Sequence, residues 1–188
     1  MGHRKWSMVL VAAATFGAAR LQAQQLWEPE IGIRGGWTHL KIDQTGSNPV
    51  NFVDLPGTAP NIGNISGRAP LFAVIPVGAR LAISPEVGMA DVSSGPAPSS
   101  MLWELGTTLD YAFTPHIYAG AGATFSFVRV GISENAVGGY QAKAGYRISA
   151  GRALRLRLEA FYNGRPKSSL LPKADLFGIS LGVSTSLK

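Results

Sequence analysis

The sequence predicts an all-β fold, an eight-stranded antiparallel up-and-down barrel, and three observations carry that prediction. Apolar and polar residues alternate in short runs, clusters of Gly, Pro, Ser and Asn separate the runs, and the connections alternate between tight and long. Charge then decides where the barrel sits. Only 15% of the 188 residues are Asp, Glu, Lys or Arg, against about 25% in a typical soluble domain, so a transmembrane β-barrel is expected.

Residues 1–23 are expected to be a cleaved secretory signal peptide and residues 24–188 the barrel domain. Arg4 and Lys5 make a positive start, "WSMVLVAAATFGAA" a short apolar core, and Ala19 and Ala23 two cleavage points with small side chains. Arg20 stops the apolar run before it reaches the roughly 20 residues of a spanning helix. Without this segment the chain keeps 14 of its 17 basic residues against 11 acidic ones, a net charge of +3. No basic run carries interleaved aromatics, so nucleic acid is not an expected partner. The lack of Cys excludes disulfides and thiolate metal sites.

The strands follow in order. Residues 30–42 put Ile31, Ile33, Gly35 and Trp37 on one face and Gly32, Arg34, Gly36 and Thr38 on the other. A second strand before Pro76, near residues 66–75, is poorly patterned, because Phe72 and Val74 fall on the nominally polar face. Residues 81–89 set Leu81, Ile83, Val87 and Met89 against Ser84 and Glu86, and residues 102–113 set Trp103, Leu105, Leu109, Tyr111 and Phe113 against Glu104, Thr108 and Asp110. Residues 117–127 alternate Ile117, three alanines, Phe125 and Phe127 with Gly120, Gly122, Thr124 and Ser126; residues 140–148 alternate Tyr140, Tyr146 and Ile148 with Gln141, Lys143 and Arg147.

"ALRLRLEAFY", residues 153–162, tests the period. As a helix at 100° per residue it would place Arg157 about 40° from Phe161, inside the apolar arc. As a strand it separates Leu154, Leu156, Leu158 and Tyr162 from Arg155, Arg157, Glu159 and Phe161. Residues 177–187 close the set with Phe177, Ile179, Leu181 and Val183 against Gly178, Ser180, Gly182 and Ser184. The turns "PVGA", "TPH" and "SAGRA" are tight, whereas residues 43–67, 92–100, 129–138 and 163–174 read as long loops. Short periplasmic turns and long extracellular loops are the layout of an outer-membrane barrel.

A soluble lipocalin-like barrel in the periplasm, binding an apolar small molecule, has the same period and is the alternative from another class. The composition of the two faces separates them. The polar face is rich in Gly, Ser and Thr with a few charges of both signs, as inside a small closed barrel, and the apolar face of the seven well-patterned strands carries no charge. Lys or Arg on a lipid-facing surface would cost about 2–4 kcal/mol at the midplane. Trp37, Trp103, Tyr111, Phe113, Tyr140, Tyr146, Tyr162 and Phe177 lie toward strand ends, as interfacial aromatic girdles do.

"LFAVIPVGARLAISPEVGM" and "LWELGTTLDYAFTPHIYAGAGATFSF" resemble the hairpins of the outer-membrane β-barrel domain family, the small OmpA-like and OmpX-like barrels. The resemblance spans nearly all of residues 24–188 in layout. It implies a single barrel in a Gram-negative-type outer membrane, and membrane lipid, lipopolysaccharide and the outer-membrane assembly machinery are the expected partners of a monomer. The chain departs from the family at its end, "STSLK", where an aromatic residue used in assembly usually stands.

The charges of the polar face are the candidate site. Arg34, Glu86, Glu104, Lys143, Arg147, Arg155, Arg157 and Glu159 are expected to form an ion-pair network in the barrel interior, since buried charges are tolerable when paired. A turn centred on Gly151 would set Lys143 opposite Glu159 and Gly145 opposite Arg157. Arg165, Lys167 and Lys173, in the last long loop, are candidate contacts for lipopolysaccharide phosphates. No catalytic, cofactor or metal site is expected. His39 and His116 stand apart, neither has Ser two residues away, and there is no HExxH motif. "GAGATF" lies within a strand, not before a helix. The expected function is an integral outer-membrane barrel with a structural or surface-interaction role and no catalysis; a narrow porin-like channel is the nearest alternative.

Overall fold

Alternation of period two gives each strand an apolar and a polar face, and closing the sheet on itself removes the unpaired edges that hydrocarbon would not tolerate. The computed structural model describes residues 25–43, 45–54, 70–91, 100–130, 133–167 and 172–187. The expected signal peptide lies outside them. The strands are β1 (Glu30–Ile42), β2 (Val50–Asp54), β3 (Leu71–Pro76), β4 (Leu81–Asp91), β5 (Ser100–Ala112), β6 (Ile117–Val130), β7 (Ser133–Ala150), β8 (Leu154–Arg165) and β9 (Ala174–Ser186). All pair antiparallel with their neighbours, and β9 returns to pair with β1 from Glu30↔Ser186 to Ile42↔Ala174.

Nine segments make an eight-stranded barrel because β2 and β3 share one edge of β1. β3 pairs with β1 from Glu30↔Val74 to Ile33↔Leu71, and β2 pairs with it from Gly36↔Asp54 to Leu40↔Val50. β2 lies inside the expected loop of residues 43–67. Its anchor is Phe52, buried with Leu40, Ala174 and Leu176 at the long-loop end. The expected loop of residues 129–138 is likewise mostly strand, with β6 and β7 paired out to Val130↔Ser133. Val128 and Val130 favour extended backbone, and only residues 131 and 132 connect the two strands, a hairpin-length link.

The weak pattern of the second strand has a structural reason. β3 turns Phe72 and Val74 inward and Leu71 and Ile75 outward, so it is apolar on both faces. Its inner pair packs with Trp27, Ala82, Ala112 and Tyr118 in an apolar cluster at the short-turn end.

The expected β7–β8 register is corrected by two residues. The turn spans residues 151–153, opened by Gly151 at a left-handed φ of 94°. This centres the hairpin on Arg152, so Gly145 faces Glu159, Lys143 faces Phe161 and Arg147 faces Arg157.

The aliphatic face points outward. Ile33, Leu109, Leu158, Ile179 and Leu181 are exposed, Leu181 at 67%, while the inner face buries Arg34, Glu86, Lys143, Arg157 and Glu159. A soluble lipocalin-like barrel requires the opposite arrangement. Tyr111, Phe113 and Tyr146 stand exposed toward the short-turn end, and Trp37, Trp103, Tyr140 and Phe177 toward the long-loop end.

Candidate functional site

The barrel interior gathers the polar side chains, and the strand parity explains why. Arg34 on β1, Glu86 on β4, Lys143 on β7 and Glu159 on β8 all point inward and meet midway along the lumen. Arg34 Nη2 lies 2.5 Å from Glu86 Oε2, and Nη1 lies 3.3 Å from Glu159 Oε2. Lys143 Nζ lies 3.6 Å from Glu86 Oε1 and 2.9 Å from Asp110 Oδ2. Asp110 also accepts from the Ser84 hydroxyl at 2.5 Å, and the Tyr118 hydroxyl donates to Glu159 Oε1 at 2.5 Å. Gly145 makes room for this last contact, because a Cβ there would collide with the Tyr118 ring.

Toward the short turns, Arg157 Nη2 pairs with Glu30 Oε2 at 2.6 Å, and Ser184 donates to the same oxygen at 2.6 Å. Arg147 is the cross-strand neighbour of Arg157, and like charges so placed repel. Each arginine has its own hydrogen-bond partners, and both lie against the Trp27 ring. The Arg147 guanidinium lies 4.1 Å from the centre of the Trp27 ring, donates from Nε to the Pro115 carbonyl at 2.8 Å and from Nη2 to the Leu26 carbonyl. Trp27 itself is 0% exposed and donates from its indole N–H to the Arg80 carbonyl at 2.9 Å. With Leu26, whose N–H donates to the Ala79 carbonyl, it tucks the segment before β1 into the short-turn mouth.

Toward the long loops the lumen is sparser. Glu104 Oε2 pairs with Arg165 Nη2 at 2.9 Å. Among the described residues the buried Ser126 hydroxyl opposite Glu104, the Thr124 hydroxyl and Gln141 Nε2 nearer the middle, and the Thr108 hydroxyl opposite Ser84 have no hydrogen-bond partner. Buried polar groups of this kind are ordinarily satisfied by water.

Arg155, expected in the network, sits half-buried at the rim and pairs with Glu28 at 2.7 Å. Arg165, expected in the outer loop, is 5% exposed and lies inside the barrel, because β8 runs on to Arg165 and its parity turns that side chain inward. Lys167 is exposed, and Lys173 is exposed beside Asp175 at 3.6 Å. Glu30, Asp110, Tyr118 and Trp27 were not expected in the cluster. Strand parity was a signal for Asp110, whereas Trp27 precedes the first patterned run and had none.

Among the described residues, five buried acids (Glu30, Glu86, Glu104, Asp110, Glu159) match five buried bases (Arg34, Lys143, Arg147, Arg157, Arg165). No group of three or more His, Asp or Glu among the described residues is placed to hold a metal ion. His39 meets Asn51 at 2.8 Å and the Phe177 ring, and His116 stacks on Tyr146.

No protein-family model matches the chain, and no curated protein matches it by sequence. Among solved structures the chain is similar to Neisserial surface protein A, with a TM-score of 0.58 at 14% identity over 85% of this chain and 97% of that one. Looser likenesses are to the outer membrane protein AlkL in lipid bilayers (TM-score 0.47, 18% identity, 86% and 90% covered) and to the outer membrane protein OprG from Pseudomonas aeruginosa (TM-score 0.45, 11% identity, 84% and 95% covered). Closure of β9 on β1, the eight strand positions and the likeness to Neisserial surface protein A together give the chain the fold of the small eight-stranded outer-membrane barrels.

Proposed function

We propose that the chain is an integral outer-membrane β-barrel, exported by its first 23 residues, with a structural or surface-interaction role rather than a catalytic one. The observation that carries this reading is the inverted partition of side chains: aliphatic groups outside, ten charges inside. In water such a surface would expose far more contiguous apolar area than a soluble monomer tolerates. In a bilayer it is the surface that lipid requires.

The same interior favours a filled barrel over the narrow-channel alternative. Eight strands leave a lumen just wide enough for side chains, and here it holds a charge-balanced cluster with Trp27 tucked into one mouth. Lys167 and Lys173 at the long-loop end are the groups this reading offers to lipopolysaccharide phosphates; Arg165 is not among them.

Fractionation of expressing cells tests the assignment. The protein should stay with the outer membrane, need detergent for extraction, and run at a different mobility when boiled; recovery in a detergent-free periplasmic extract would overturn it. Planar-bilayer recording should then give little conductance from the wild-type barrel, and a steady open-channel current would favour the channel.

A further inference from the structure

The lipid-facing wall has a notch. β3 and β4 pair at Leu71↔Val87 and Phe72↔Glu86 and again at Ile75↔Ile83 and Pro76↔Ala82, but not between, where Ala73 and Val74 face Pro85 and Ser84. Pro85 has no N–H to donate, so the ladder lapses there. Small Ala73 and the proline ring make a low floor, and Ile31, Leu71, Val87 and Leu105 stand around it. The result is a cavity of about 470 Å³ lined by hydrocarbon, within the size range of small-molecule sites.

We propose that this notch binds one acyl chain of a membrane phospholipid, with the exposed Arg80 guanidinium meeting its phosphate. The proposal rests on the membrane reading above. The notch is continuous with the exposed aliphatic belt, since Ile31, Leu71, Leu105 and the neighbouring Ile75 and Ile83 all face outward, so hydrocarbon is what a bilayer would bring to it. Arg80 lies in the turn between β3 and β4, five residues from Pro85. Five strand residues span roughly 17 Å, which a tilt of about 45° reduces to roughly 12 Å of depth, a distance an acyl chain hanging from a headgroup near the short turns covers. A cationic side chain at that level suits an anionic lipid phosphate.

Photo-crosslinking tests this on the wild-type barrel. The protein is reconstituted in vesicles of phosphatidylethanolamine and phosphatidylglycerol carrying a diazirine on the acyl chain, and labelled peptides are mapped. We expect about tenfold more label on the peptides holding Ala73 and Val87 than on those holding Leu158 and Leu181 across the barrel, a preference worth about 1.4 kcal/mol. Even labelling around the barrel would overturn the site. Native mass spectrometry of the detergent-extracted barrel should show one retained phosphatidylglycerol, lost in Ala73→Trp, whose indole fills the floor. Retention by a folded Ala73→Trp would overturn the assignment, as would loss of a dimer peak in its place, which would make the notch a contact between copies. Arg80→Gln should weaken retention about fivefold, the weight of about 1 kcal/mol per basic side chain at an anionic lipid surface; unchanged retention would overturn the headgroup contact. Failure of the membrane reading is distinguishable, because the protein would then be soluble without detergent and would not insert into the vesicles at all.

Discussion

The two halves of the lumen solve the burial of polar groups differently. In the short-turn half and the middle, charges meet charges and rings lie over them: Arg157 on Glu30 beneath Trp27, Phe72 and Tyr118, then Arg34 between Glu86 and Glu159. In the long-loop half the ion pair Glu104–Arg165 stands beside Ser126, whose buried hydroxyl has no hydrogen-bond partner among the described residues. A desolvated ion is tolerable only with close partners, whereas a hydroxyl can use a trapped water. The difference teaches that the turn end and the middle are filled by charges and rings that hold one another, whereas the loop end is filled by fewer paired groups.

Breaking the paired cluster should cost most. Glu86→Gln removes the carboxylate shared by Arg34 and Lys143, and we expect a loss of about 3–5 kcal/mol, read as a lower urea midpoint for the folded, heat-modifiable form. Trp27→Ala should cost about 3 kcal/mol by the same measurement, and it should also raise single-channel conductance, because the short-turn mouth loses its stopper. Glu104→Gln in the long-loop half should cost less, about 2 kcal/mol, since Glu104 is paired with one cation there and Glu86 with two. A cost equal to that of Glu86→Gln would erase the distinction between the halves. Lys173→Ala, outside the lumen, sets the baseline: its exposed pair with Asp175 should be worth no more than about 0.5 kcal/mol.

Strand parity was legible in the sequence wherever one face was aliphatic and the other small or charged. "ALRLRLEAFY" shows both the reach and the limit of such reading. Its leucines do face outward, and Arg157 and Glu159 do face inward, yet the partners of those charges were misplaced. A turn of three residues rather than one centred on Gly151 moves every cross-strand pair by two, and sequence spacing alone does not fix turn geometry. Contacts across the lumen are harder still. Lys143 reaches Asp110 two strands away, a meeting set by barrel curvature and not by any spacing along the chain. Phe72 and Val74 break the pattern because the inner face is not polar throughout. They are inward because the short-turn end needs an apolar seat for Trp27. Arg165 falls in the expected loop of residues 163–174, but β8 runs three residues into that loop and ends on Arg165.

The burial of Trp27 has a spectroscopic consequence. The chain has four tryptophans; Trp6 falls in residues 1–23, Trp37 and Trp103 are exposed on the outer face, and Trp27 is enclosed beside Arg147. Bromine atoms placed on lipid tails would therefore dim the emission of Trp37 and Trp103 and spare that of Trp27. The quencher-resistant fraction of the fluorescence would then report, in real time and without a label, the moment at which the barrel closes around its own beginning.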